Sequence, residues 1–149
     1  MGIKKSFPQR RVNSSQNLGR RDFWMEIVSS KPIDPGKVYD LIRKDTAGSV
    51  VFHFAVVRES TENRRTKLIE YHENGDIEEE LRTISDEIRK KWEIEDVLMM
   101  RRLGRLNIGD VISLVAVSSP HREEAFNACS YGVDKLKKMA TVIKKETAV

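Results

Sequence analysis

Between Ser118 and Glu146 the chain reads S-S-P-H-R-E-E-A-F-N-A-C-S-Y-G-V-D-K-L-K-K-M-A-T-V-I-K-K-E: a helix start, a long apolar stripe and a basic exit. Ser119 suits an N-cap and Pro120 the first helical position, where its missing N–H costs nothing. Ala125, Phe126, Cys129, Val133, Leu136 and Ala140 recur at helical spacing, which predicts one buried face. Off that face lie His121, Arg122, Lys137, Lys138, Lys144 and Lys145. His121 and Arg122 put positive charge in a first turn whose dipole favours negative charge. Either Glu123 and Glu124 compensate and the pair is simply solvated, or the two cations are kept for a ligand.

Upstream, Phe23 to Val28 reads as a strand, and Asp34-Pro35 opens a helix whose apolar face is Val38, Leu41 and Ile42. Ser49 to Val57 follows as V-V-F-H-F-A-V-V, continuous enough to predict a strand buried on both faces. The polar stretch after Arg58 predicts a mobile loop before a returning strand at Lys67 to His72, and Asn74-Gly75 marks the turn out of it. Ile77, Leu81, Ile84, Ile88 and Trp92 space out one face of a long helix. Asp96 to Leu103 and Val111 to Ser118 are two further strands around a hairpin punctuated by Gly104, Asn107 and Gly109-Asp110. The order β-α-β-β-α-β-β-α, with a basic Thr141 to Glu146 segment last, predicts an α+β fold: a mostly antiparallel sheet with packed helices.

At 149 residues the chain fits one domain. Its pI of about 9.2 suggests a polyanion partner, but the charge is uneven. Residues 1–22 hold six of the 27 basic and one of the 23 acidic side chains, so 23–149 carries 21 basic against 22 acidic. The tail composition predicts disorder, with a nonspecific polyanion-binding arm or an organelle-targeting leader as alternatives. The body is a domain without a basic footprint, so a nucleic-acid partner is not expected. No apolar run approaches the roughly 20 residues that span a bilayer, and no secretory signal is present, so a cytoplasmic protein is expected. The single cysteine, Cys129, lies on the helical stripe and reads as a buried, inert thiol. His53, His72 and His121 are too scattered for a metal site. His53 itself, inside an apolar strand, reads as a core or pocket-wall histidine.

No nucleophile elbow, phosphate-binding glycine loop or paired carboxylates stand out. What remains is cationic: Arg58, His121, Arg122, Lys137 and Lys144 together suit an anionic, phosphate-bearing small molecule. A lysine desolvated among other cations also supplies a neutral amine able to attack a carbonyl or thiocarboxyl carbon. His121 and Lys137 are 16 positions apart, about 24 Å along an α-helix. A symmetric dimer that lays the start of one helix near the end of its partner's would bring both to one shared pocket.

These motifs resemble the MoaE family, the large catalytic subunit of molybdopterin synthase, over about residues 23–146. The resemblance rests on R-L-G-R-L-N-I-G-D at 102–110, S-S-P-H-R-E-E-A-F at 118–126, D-K-L-K at 134–137 and K-K-E at 144–146. It implies an α/β hammerhead-type fold and a homodimer within a heterotetramer. Each end would bind a small ubiquitin-like, MoaD-like sulfur-carrier subunit whose C-terminal Gly-Gly carries a thiocarboxylate. It further implies sulfur transfer to precursor Z, a cyclic pyranopterin monophosphate, to form the molybdopterin dithiolene, with no cofactor or metal of the chain's own. By the same resemblance Lys137 and Lys144 are the catalytic lysines, and Arg58, His121, Arg122, Lys138 and His53 bind substrate, His121 and Arg122 across the dimer interface. The chain departs from the family pattern at His53 (usually aromatic), Ala55 (usually glycine), Arg101 (usually histidine) and Thr141 to Ile143. These departures leave a noncatalytic scaffold subunit as the alternative.

Overall fold

The computed structural model describes residues 25–61 and 64–148. The predicted tail at 1–22 lies outside the described residues. Two sheets organise the chain. The first has strand order β1 (Glu26–Ser29), β5 (Asp96–Arg102), β7 (Val111–Ser119) and β2 (Ser49–Val56), with β1 parallel to β5 and the other pairs antiparallel. The second joins β3 (Ser60–Thr61), β4 (Arg64–Glu73) and β6 (Gly104–Leu106), with β8 (Val142–Ala148) also paired to β4. This is the expected α+β, hammerhead-type arrangement with a mostly antiparallel sheet.

The period-two alternation of the central strands sorts two cores onto opposite faces of the first sheet. Val97, Met99, Val115 and Val117 meet helices α2 (Ile77–Lys91) and α3 (Arg122–Lys137) on one face. Leu98, Met100, Leu114 and Ala116 meet Ile33, Val38 and Ile42 on the other, where the short helix α1 (Val38–Ile42) follows a 3-10 turn capped by Asp34. Helix α2 obeys its sequence closely. Asp76 caps it by accepting from the Glu79 N–H at 3.1 Å, Glu78 to Glu80 fill the first turn and Arg89 to Lys91 the last, as the dipole prefers.

Helix α3 corrects the sequence reading at its start and along its buried face. His121, not Ser119, is its N-cap and Arg122 its first residue; the Ser119 hydroxyl instead donates to the His121 carbonyl. The buried stripe is Ala125, Ala128, Cys129, Gly132 and Leu136, while Phe126 stands 59% exposed. One step along a helix turns a side chain by about 100°, so Phe126 cannot share the face that Ala125 and Cys129 define. Small residues win there because the helix lies close on the sheet: a Cβ on Gly132 would sit 3.1 Å from Val115 Cγ1 and 3.3 Å from Met99 Cε.

Three other expectations change. Strand β2 is apolar but only half-buried, because it is an edge strand paired to β7 alone in the first sheet. The predicted mobile loop after Arg58 contains β3, paired to the start of β4. The basic segment at 142–148 is strand β8, held antiparallel along β4 from Thr66 to Glu73. The turn at 103–110 is also more than a hairpin, since β6 leaves the first sheet to pair with Ile69 to Tyr71 of the second.

Candidate functional site

A pocket of about 630 Å³ opens where the two sheets and the end of α3 converge. Its walls are partly apolar, including Ile69, Leu136, Met139 and Val142, and five basic side chains line it: His53, Arg58, Arg101, Lys137 and Lys144. No carboxylate lines it among the described residues. The arrangement has the charge and the apolar walls that would suit an anion with an apolar or planar body.

Each cation arrives from a different element. His53 sits in β2, opposite Val115 in register. Arg58 follows the strand, just after Val57, whose N–H donates to Asp110 O at 3.0 Å and whose carbonyl accepts from Gly109 N–H at 2.8 Å. Lys137 is the last residue of α3, where the helix dipole favours a cation. Lys144 lies in β8 opposite Tyr71, its Nζ 3.7 Å from Glu146 Oε1 and its side chain 48% exposed.

The turn that joins Lys137 to Lys144 is tied to the start of α2. Glu80 accepts from the Ala140 N–H at 3.1 Å, the Thr141 N–H at 3.0 Å and the Thr141 hydroxyl at 2.7 Å. Asn74 adds a side-chain amide to Ala140 O at 3.2 Å and its own N–H to Thr141 O at 2.7 Å. Burial disfavours the Glu80 carboxylate, but the Thr141 hydroxyl, the two backbone N–H groups and the positive field of Arg101 together hold its pKa below the usual value.

Arg101 and Tyr71 are the members that sequence reasoning did not assign. Arg101 is buried, its guanidinium carbon 4.5 Å from the centroid of the Tyr71 ring. Burial pulls its pKa down from the arginine value, opposed by Tyr71 and Glu80, yet a guanidinium stays protonated. Burial likewise pushes the Tyr71 phenol up, with Arg101 opposing. Strand parity could have found Arg101: positions 97, 99 and 101 share the face that meets α2 and α3.

His121 and Arg122 are exposed at the opposite end of α3 and do not line this pocket; Lys138, the C-cap of α3, is exposed and outside it too. Cys129 is buried as expected, its Sγ 3.7 Å from Val115 O, and desolvation raises its pKa to about 11, so it is no nucleophile. Among the described residues no cluster could hold a metal ion, and no helix is long and apolar enough to cross a membrane.

The family described as MoaE protein matches residues 28–139. The molybdopterin synthase catalytic subunit of Staphylococcus carnosus is 38% identical over 122 residues, covering 81% of each chain. That of Bacillus subtilis is 32% identical over 120 residues, 80% of this chain and 76% of the relative. The crystal structure of molybdopterin synthase from Staphylococcus aureus superposes with a TM-score of 0.75 at 33% identity, covering 82% of this chain and 90% of that one.

Proposed function

This chain belongs to the MoaE family, and from that premise we propose that it is the catalytic subunit of a molybdopterin synthase, an enzyme of molybdenum-cofactor synthesis. In this reading a small ubiquitin-like subunit lays its C-terminal Gly-Gly thiocarboxylate into the pocket, and sulfur passes from it to precursor Z. The observation that carries the reading is the pocket's charge: Arg58, Arg101, Lys137, Lys144 and His53 with no carboxylate among the described lining, facing two ligands that are both anions. The relatives are named catalytic subunits, which supports a second kind of subunit as partner. Cys129, buried and held as a thiol, agrees with a sulfur that arrives on that partner.

Lys137 is assigned the reacting amine and Lys144 the charge that holds the thiocarboxylate or phosphate. Both side chains are exposed in the single chain. The desolvation that a neutral amine requires therefore comes from the chains and ligands that close over the pocket. His121 and Arg122, exposed at the far end of α3, are assigned to the pocket of a second copy, making the catalytic unit a homodimer within a heterotetramer. Against a scaffold role stands the retention of both lysines on one pocket, at the ends of a turn that three hydrogen bonds to Glu80 hold in place.

The test is reconstitution. Purified protein mixed with thiocarboxylated partner and precursor Z should form molybdopterin, detected as its fluorescent oxidation product. Binding of the partner without any molybdopterin would transfer the chain to the scaffold reading.

A further inference from the structure

We propose that Arg101 is the deep oxyanion anchor of the pocket, the residue that receives the paired oxygens of the most buried ligand group. This deepens the function proposed above and takes from it only that the ligands are anions. The four other basic lining residues are less buried than Arg101: Arg58, Lys137 and Lys144 are exposed, and His53 is half-buried. Arg101 alone is nearly sequestered, at 7% exposure, and still lines the pocket. A buried guanidinium is costly unless an anion or a set of acceptors compensates it. Among the described residues no carboxylate lies within ion-pairing distance of it, and its Nε has no hydrogen-bond partner. Tyr71 supplies its ring and hydroxyl, and Glu80 acts on it as a more distant charge, spending its own oxygens on the Ala140–Thr141 turn.

The neighbouring arginine makes the contrast. Arg102 is equally buried but does not line the pocket, and its Nε and Nη2 donate to Leu103 O at 3.2 Å and Arg105 O at 3.0 Å. Arg102 thus holds a bend and leaves only its Nη1 unpaired, away from the pocket, whereas the unpaired Nε of Arg101 belongs to a residue that lines it. The Tyr71 ring, 4.5 Å from the guanidinium carbon, holds the group beside the pocket, where its N–H donors suit two oxygens of a carboxylate or phosphate, or the single oxygen of a thiocarboxylate.

The experiment is titration calorimetry on the full chain with three probes: a peptide ending in Gly-Gly with a free carboxylate, the same peptide as its C-terminal amide, and inorganic phosphate. The variants are Arg101→Met and Arg101→Lys, each checked by thermal melting. Loss of one charge-assisted bidentate contact should weaken binding by about tenfold to a hundredfold. If the partner's terminus seats on Arg101, Arg101→Met binds the acid peptide no better than the amide and phosphate is unaffected. If a phosphate seats there, the phosphate arm falls instead. Arg101→Lys keeps the charge but loses the paired donors, so it falls in the same arm by a smaller factor, and it decides the matter if Arg101→Met does not fold. A folded variant that keeps parental affinity for both anions, or a parent that binds neither, overturns the assignment. Because the readout is binding, a failure to make molybdopterin refutes the sulfur-transfer reading without touching this one.

Discussion

Removing the Glu80 carboxylate should loosen the two lysines without touching either. Its oxygens accept three hydrogen bonds from Ala140 and Thr141, between 2.7 and 3.1 Å long, at the turn separating α3 from β8. The site is partly solvated, so each bond is worth the lower part of the usual range, and Glu80→Ala should cost about 2 kcal/mol in all. For a chain of this size that lowers Tm by about 4–8 °C. Glu80→Gln is the sharper variant, since one amide face would point N–H at N–H. The functional loss should exceed the stability loss: at a temperature where the variant is fully folded, kcat falls while partner binding is kept, because only the spacing of Lys137 and Lys144 has changed. A Glu80→Ala protein with parental Tm and parental single-turnover sulfur transfer would refute the idea that this clamp sets the site.

Linkage supplies an independent readout. The Glu80 pKa is lowered in the folded chain below the ordinary glutamate value of about 4.3, so its stabilisation is fully present well above that pH and is lost as pH falls through the folded value. The Tm gap between parent and Glu80→Gln should therefore be constant near neutrality and shrink in acid. A gap that widened in acid would mean that the carboxylate is not the stabilising form.

Lys137→Arg keeps charge but cannot offer a neutral amine, so it should bind partner normally and lose most single-turnover sulfur transfer, with Lys144→Arg milder; near-parental transfer by Lys137→Arg would move the covalent role to Lys144. Mixing His121→Ala chains with Lys137→Ala chains should restore part of the activity through dimers holding one intact site, and no restoration in proven mixed dimers counts against a shared pocket. Gly48→Ala should lower Tm by several degrees, since its Cβ would lie 2.7 Å from the Pro120 carbonyl oxygen at the turn that presents His121 and Arg122; an unchanged melt would mean that this turn yields freely. Deleting residues 1–21 should leave Tm within about 1 °C of the parent, since they offer no amphipathic period; a larger drop would show that they pack on the body.

What the sequence made legible is what local rules decide. Helix α2 carried its own cap, dipole pattern and apolar face, and strands β5 and β7 alternate so strictly that both sheet faces follow from them. The misreadings share one cause, which is tertiary choice among locally similar options. Phe126 looked like core because it is apolar, but at Gly132 the sheet leaves no room for a large side chain, and small residues took the buried face. The segment at 142–148 has β-branched residues at Val142, Ile143 and Thr147 yet reads as a basic tail until β4 is there to pair with it.

The pocket divides along the same line. Lys137, Lys144 and Arg58 stand out in the sequence as cations for an anionic ligand and His53 as a core or pocket-wall histidine, and the fold brings all four to one cavity from separate elements. Arg101 stands out in the sequence only as a departure from the family's histidine, and the pairing of β4 with β6 and β8, which brings Tyr71 to within 4.5 Å of it, turns that position into a buried cation. This depth orders the site. Charges at the rim are screened by water and serve to attract either anion, whereas a desolvated guanidinium discriminates by shape, since leaving it unpaired or pairing it badly costs more than losing a rim contact. Substitutions at Arg58 should accordingly change association rate and its salt dependence, while substitutions at Arg101 should change dissociation. Stopped-flow binding of the acid-ended peptide at two ionic strengths separates the two, and equal effects of both arginines on the on-rate would abolish the distinction between rim and floor.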